Sequence, residues 1–415
     1  MGFLLGVGTR DETSETSGSL LALKNTYLKT LKHTNETINY GMIQMSGGDM
    51  TMDYDQETTY FRGHCIEYDT VDMFQMMVDI ALEPRSVMAA NIAKDKNRKS
   101  HALKEHLAKF DPFAYNEETL LRTAYGYNTL GNPLLGLQGN VENIDARVMQ
   151  KFMMDNITPG KSVIVANGVN NHDEFVSLAK ERLGELTALP EHQYAREKAQ
   201  YIGGEHREWT ETPNTSITVA FKGAKWSSNL QPVGAVAAEL LGTSSSATNN
   251  RANRAVGENA FVDKVNAINA NFTDSGVFGL QVVGSGSHSA DLMHVALDGL
   301  NSLREDISDE ELNRAKNRLK IKVLQETECA GNRLEEMAKN YHLFGGELNF
   351  HQYCDKIDAV SASDINSVSF PNFNVIRLLE HFWKELQPSW SREAQSTLFQ
   401  QLETFRDSLI DGQNQ

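Results

Sequence analysis

Apolar residues recur at helical spacing between Thr16 and Leu31, where Leu20, Leu21, Leu23, Tyr27, Leu28 and Leu31 share one face. Ahead of them, "GFLLGVG" reads as a strand entering mid-domain, so further chain is expected before Met1. After them, Met50, Met52 and Tyr54 alternate with Thr51, Asp53 and Asp55, and "TTYFRGHC" follows; this predicts two strands opened by Gly47 and Gly48. "DTVDMFQMMVDIALEP" predicts a helix with an Asp or Thr cap that stops before Pro84. Further helices are predicted from Val87 to about Lys109, over "NEETLLRTAYG" and over "ENIDARVMQKFMMDNI". A buried strand, "KSVIVANGV", and a helix, "NHDEFVSLAKERLGEL", complete this half. "TALPEHQYAREKAQ" has no apolar period and reads as a linker.

The order then repeats. "EHREWTETPNTSITVAFKG" is strand-like, "PVGAVAAELLG" is a helix ended by Gly242, and "FVDKVNAINANFTDSGVFGLQVVGS" is a hairpin pair. Three helices follow, over "ADLMHVALDGLNSLRE", "SDEELNRAKNRLKIKVLQET" and "CAGNRLEEMAKNYHLFG". The expected fold class is α+β, with two homologous domains, each a mainly antiparallel sheet backed by helices. The boundaries fall at 1–188, a linker at 189–202, a second domain at 203–370 and a helical tail at 371–415. In the tail, Val375, Leu378, Leu379, Phe382 and Leu386 share one face, as do Leu398, Leu402, Phe405 and Leu409. Such faces seek a groove, either on their own domain or on another chain.

Composition narrows the function. The chain has 415 residues, 40% apolar and 23% charged, too many for one ordinary core. No apolar run reaches the roughly 20 residues of a membrane-spanning helix, so membrane contact is expected only through partners. A net charge of -16 disfavours nucleic acid, which needs a basic face, and suits a basic client or neighbour. Cys65, Cys329 and Cys354 are few, scattered and odd in number. They predict a reducing compartment, no disulfide framework and no cysteine zinc site.

The candidate chemistry centres on "HALKEH", residues 101–106. Two helical histidines reach one zinc when they are four apart, about 40° around the axis. His101 and His106 are five apart and diverge by about 140°, so they read as incidental neighbours. The inverted H-x-x-E-H pattern needs the same spacing of four and is also absent. The other histidines, such as His33, His64 and His172, are scattered singly. "GSGSHSAD" around His288 lacks a G-x-S-x-G elbow, and "SGGDMTMD" lacks the GK[ST] ending of a phosphate loop. From the residues alone, the chain is an acidic two-domain α+β protein with no complete active site.

Four stretches, "GVGTRDETSETSGS", "TAYGYNTLGNPLLGL", "YIGGEHRE" and "NANFTDSGVFGLQVV", resemble the pitrilysin/insulinase-type metallopeptidase superfamily. The likeness runs from residue 5 to about 368. Within that superfamily it is to the branch holding the core subunits of mitochondrial respiratory complex III and the alpha subunits of mitochondrial processing peptidases. Active members carry H-x-x-E-H on the first helix, and counting from Gly18 puts those positions at Leu21, Lys24 and Asn25. Both histidine ligands and the general base are then replaced. The third family ligand, a Glu about 80 residues on, corresponds to Glu105, a lone remnant that cannot hold zinc by itself. The family's paired Arg and Tyr correspond to Arg254 and Phe261, and Phe has no hydroxyl for an oxyanion.

The sequence departs from the family in three places. The opening strand is missing, "TSSSATNNRANRAVG" stands where processing-peptidase alpha subunits have a glycine-rich loop, and the tail after Ser369 is unlike the family's close. The resemblance implies a non-catalytic subunit on the matrix side of the mitochondrial inner membrane, with no metal and no cofactor of its own. It implies as partners a core-one or processing-peptidase beta-type subunit and the other complex III subunits, with basic presequence peptides as the client of the processing-peptidase alternative.

Overall fold

The structure, a computed structural model, describes residues 1–28, 41, 43–45, 47–82, 94–102, 112–140, 142–184, 196–208, 214–242, 250–346 and 350–368. Its elements are β1 (Gly2–Leu5), α1 (Ser19–Thr26), β2 (Asp49–Tyr54), β3 (Thr59–His64), α2 (Thr70–Leu82), α3 (Pro112–Tyr125), α4 (Ala146–Asn156), β4 (Ser162–Val165) and α5 (His172–Leu183). There follow β5 (Asn214–Lys222), α6 (Gln231–Leu241), α7 (Arg251–Glu258), β6 (Val262–Asn271), β7 (Gly276–Ser285), α8 (Ser289–Asn301), α9 (Asp309–Glu328), α10 (Ala330–Phe344), α11 (Phe350–Asp358) and α12 (Ala362–Val368).

The strands form two antiparallel sheets. The first has the order β2-β3-β1-β4, with Phe3 opposite Phe61 and Ile164 and Leu4 opposite Tyr60 and Val163. Alternate residues of a strand point to opposite faces, and both faces of β1 are apolar. Phe3 and Leu5 join Met50, Met52 and Phe61 beneath Phe74, Met77 and Ile80 of α2, with Leu20 and Leu23 of α1 and Phe152 of α4 completing the core. Leu4 and Tyr60 face the other way, against Leu334, Met337 and Ala338 of α10. The second sheet has the order β5-β7-β6, with a register shift between Val262 and Lys264. Its central strand β7 is buried over nine consecutive residues, which requires cover on both faces. Leu121, Ala124 and Tyr125 of α3 pack with Phe272 and Val277. Helix α8 also packs on β7, its Leu292 lying where Gly284 has no side chain.

The α+β class with antiparallel sheets is as the sequence predicts. The helices, however, are exchanged. Helix α3 follows the first three strands in sequence yet covers the second sheet, whereas α10 follows the second sheet and covers the first. Residues 1–366 accordingly cluster as one unit. An amphipathic period shows that a helix has a buried face but not which sheet it meets.

Several expectations are corrected. "RANRAVGE", read as part of a polar loop, is helix α7, tied down by a two-pronged Arg251–Glu311 pair at 2.9 and 2.8 Å. Helices α11 and α12 were not expected. Strand β5 is Asn214–Lys222, residues 205–208 of its predicted stretch are not strand, and α3 begins earlier, at Pro112. The predicted helix from Val87 to Lys109 is described, and helical, over 94–102. The tail at 371–415 lies outside the described residues. Among the described residues, no helix is long and apolar enough to cross a membrane.

Candidate functional site

Three of the four stretches that carry the resemblance meet around the segment that leads into α1. Gly18, at φ 100°, precedes the helix, a conformation that glycine adopts without strain. The Glu12 carboxylate accepts hydrogen bonds from Gly18 N and Leu20 N, both at 2.9 Å. It thereby satisfies amides that have no partner within the helix. Glu12 is buried, and that burial pushes its carboxyl up to about 8 against the opposing pull of the Leu20, Gly18 and Ser19 amides.

"LGNPLLGL" supplies the wall behind Gly18. A Cβ on Gly136 would lie 2.4 Å from the Gly18 Cα, so only glycine fits. Asn132 donates to the Thr9 and Glu12 carbonyls at 2.9 and 3.0 Å, and Leu137 N donates to Ser17 Oγ at 3.0 Å. "TDSGVFG" supplies the other side. Arg10, whose side chain is 3% exposed, donates to Glu57 Oε1 at 2.7 Å and to Asp274 at 2.9 and 2.5 Å. Thr273 N donates to Glu57 Oε2 at 2.9 Å, and the Tyr125 and Ser275 hydroxyls lie 2.8 Å apart. Burial disfavours the Asp274 carboxylate, but the Arg10 guanidinium and the Ala199 amide together hold its carboxyl below the usual carboxylate range.

The segment expected to be a linker also enters this hub, through Arg196. Its guanidinium donates to Asp11 at 3.0 and 2.6 Å and to the Gly6 and Glu57 carbonyls at 2.5 and 2.8 Å. No apolar period would reveal such a role, because the side chain works entirely through polar atoms.

The hub fixes α1, and α1 carries the three positions where the resemblance puts zinc ligands and base. Leu21 is buried and has no donor atom. The Lys24 ammonium pairs with Asp53 at 2.8 Å and lies 5.7 Å from the centre of the Tyr54 ring. It can donate hydrogen bonds but accept neither a proton nor a metal while charged. Asn25 donates to Asn97 Oδ1 at 2.7 Å, and Lys96 Nζ donates to the Asn25 carbonyl at 2.8 Å. An alkyl group, an ammonium and an engaged amide do not form a zinc donor set, and none of them can take a proton from water. The residues present do not fit a catalytic zinc at these positions.

The facing helix adds a residue that sequence reading set aside. His101 is buried, one turn beyond the Asn97 that holds Asn25. Glu105 and His106 lie outside the described residues, so the assignment of Glu105 as a remnant ligand stays an expectation. In the second half, Arg254 is exposed on α7. Phe261, just before β6, stacks on His288 with ring centres 5.0 Å apart and planes 10° apart. The structure thus keeps Leu21, Lys24 and Asn25 on one helix and takes up the Phe261 ring in a stack with His288. Asn97 and Lys96 could not be found from spacing, since only the approach of two helices brings them to Asn25.

Comparison with known proteins agrees with the family reading. Residues 143–319 match the model for the "Peptidase M16 inactive domain". The chain is 24% identical over 379 residues to a probable mitochondrial-processing peptidase subunit beta of Arabidopsis thaliana, covering 89% of this chain and 71% of that one. It is 24% identical over 399 residues to the ubiquinol-cytochrome-c reductase complex core protein I of Euglena gracilis, covering 88% and 78%. A chain of complex III2 from Candida albicans, bound to Inz-5, shares the fold with a TM-score of 0.74 at 21% identity, over 89% of this chain and 86% of that one.

Proposed function

We propose that this chain, a relative of the M16 peptidases that carries the family's inactive domain, is a non-catalytic core subunit of mitochondrial ubiquinol–cytochrome c reductase. It would stand on the matrix side of the inner membrane beside a core-one or beta-type partner and serve assembly rather than chemistry. One observation carries this reading. The hub of Arg10, Glu12, Gly18 and Gly136 holds the start of α1, while α1 presents Leu21, Lys24 and Asn25 at the positions to which the resemblance assigns a peptidase's two ligands and base. A fold maintained around a site that can do no hydrolysis is suited to holding other subunits. The core-protein relative and the fold neighbour in complex III support the same assembly. Among the described residues, no group of three or more His, Cys, Asp or Glu is placed to hold a metal ion.

A second reading is the non-catalytic alpha subunit of a processing peptidase, helping to bind basic presequences while a beta partner holds zinc. The similarity to processing-peptidase alpha subunits, such as that of Solanum tuberosum at 23% identity, and the net charge of -16 favour it. The sequence "TSSSATNN" after α6, which lacks the glycines that the resemblance leads one to expect of an alpha subunit there, argues against it.

Isolation of the assembly containing this chain from gently solubilised membranes tests the two readings. Ubiquinol:cytochrome c reductase activity without chelator-sensitive presequence cleavage is expected. Chelator-sensitive cleavage without reductase activity would overturn the core-subunit reading in favour of the second.

A further inference from the structure

A groove of about 440 Å³ lies between the turn that opens α2 and the length of α5. Its floor is apolar: Phe175 lies there, its ring centre 4.8 Å from that of Phe74 in the core, and Leu178 and Val71 flank it. Val71 is exposed, as are Ile66 and Tyr68 on the preceding turn, the latter at 93%. Three large apolar side chains within six residues on one turn are an unusual surface feature.

The polar lining is one-sided in charge. Glu67, Glu174 and Glu181 line the groove, no Lys, Arg or His does, and Asp72 is exposed beside it. Among the described residues, none of these four carboxylates forms a salt bridge, although Lys180 and Arg182 are close in sequence; Arg182 is paired with Asp79. Glu174 and Glu181 are seven residues apart, two helical turns and about 10 Å along the axis, and Leu178 lies between them on the same face. Unpaired like charges around an apolar floor are complementary to a partner with cations on both sides of an apolar ridge.

We propose that this groove is a docking surface for a basic amphipathic helix of a neighbouring subunit. Lys or Arg residues of that helix, two turns apart, would meet Glu174 and Glu181. Its apolar residues at the intervening turn would cover Phe175, Leu178 and Val71. The inference rests on the groove alone and stands or falls independently of the assembly proposed above.

The test uses the full chain and two labelled synthetic helical peptides, one with leucines on one face and lysines two turns apart on its flanks, the other with glutamates in place of the lysines. Anisotropy titration at physiological salt should show binding of the lysine peptide only. Glu174→Lys with Glu181→Lys should weaken it by about tenfold or more. Val71→Asp should weaken it too, although this change adds negative charge. Glu326→Lys with Glu328→Lys, an equal charge change on the exposed part of α9, should alter affinity by less than about twofold. All these positions are exposed, and a thermal melt of each variant checks that it is folded. No binding of the lysine peptide, undiminished binding by the groove variants, or an equal loss in the α9 variant would overturn the proposal.

Discussion

Arg10 is the side chain whose loss should cost most. Its guanidinium donates to Glu57 at 2.7 Å, to Thr273 Oγ1 at 3.4 Å, to Asp274 at 2.9 and 2.5 Å and to the Glu197 carbonyl at 2.5 Å. These partners come from the β2–β3 turn, from the segment after α5 and from the β6–β7 turn, so one residue ties both sheets together. Arg10→Ala strands the Glu57 carboxylate, which is 8% exposed at the side chain, and the Asp274 carboxylate at 25%. Removing one partner of a buried ion pair costs about 3–5 kcal/mol. Arg10→Lys keeps the charge but loses the fork that grips Asp274 with two bonds, and a loss of about 1–3 kcal/mol is expected. The perturbation is read from urea unfolding followed by circular dichroism. Combining Arg10→Met with Glu57→Gln and Asp274→Asn should recover much of the loss, because no charge is then left buried and alone. The pH dependence follows from Asp274. Its folded pKa is depressed, so its contribution is present above its unfolded pKa and lost as pH falls through the folded value. Arg10→Ala should abolish that part of the acid sensitivity. A loss below about 1 kcal/mol for Arg10→Ala would mean that the network is solvated, and would refute the reasoning.

Leu334→Ala should destabilise the chain by about 2–4 kcal/mol, since Leu334 packs against Leu4 and Tyr60 across the helix exchange; a shift in urea midpoint typical of a surface residue would show that α10 is not seated on the first sheet. Glu12 has a folded pKa raised to about 8, so its contribution is full below its unfolded value and is lost as pH rises through 8. Thermal melts from pH 5 to pH 9 should therefore show a fall that Glu12→Gln flattens. Cys329 is exposed, and the Asn332 and Gly331 amides, with Arg62 nearby, draw its thiol below the usual value. Burial pushes Cys65 and Cys354 up. Iodoacetamide at neutral pH should label Cys329 first, as mass spectrometry of timed digests would reveal.

How much of this was legible in the sequence depends on the kind of interaction. The β6–β7 hairpin and the helices α8, α9 and α10 follow from local period and turn residues. The exchange of α3 and α10 does not, because Leu121 and Leu334 show a buried face without naming its partner. Helix α7 was missed because "RANRAVGE" has few apolar residues to set a period; what anchors it is the pairing of Arg251 with Glu311, 60 residues away. Arg196 was hidden in a stretch without pattern for the same reason. That Leu21, Lys24 and Asn25, the positions the resemblance assigns to ligands and base, offer no zinc donor set was legible, since it depends on residue type. The contacts that now occupy those residues, Asp53 and Asn97, were not. His101 shows the limit of spacing arguments: its distance from His106 argues against a shared metal, but it says nothing of whether the ring is buried.

The role proposed for this chain is to build a respiratory complex without performing proteolysis. Acute depletion of the chain from its own cells tests it most directly, with assembled reductase on native gels and precursor cleavage in isolated mitochondria followed over the same time course. In that role, assembled ubiquinol:cytochrome c reductase declines as the chain is lost while imported precursors continue to be cut. Accumulation of uncut precursors ahead of any loss of reductase would contradict it and would assign the chain to presequence processing.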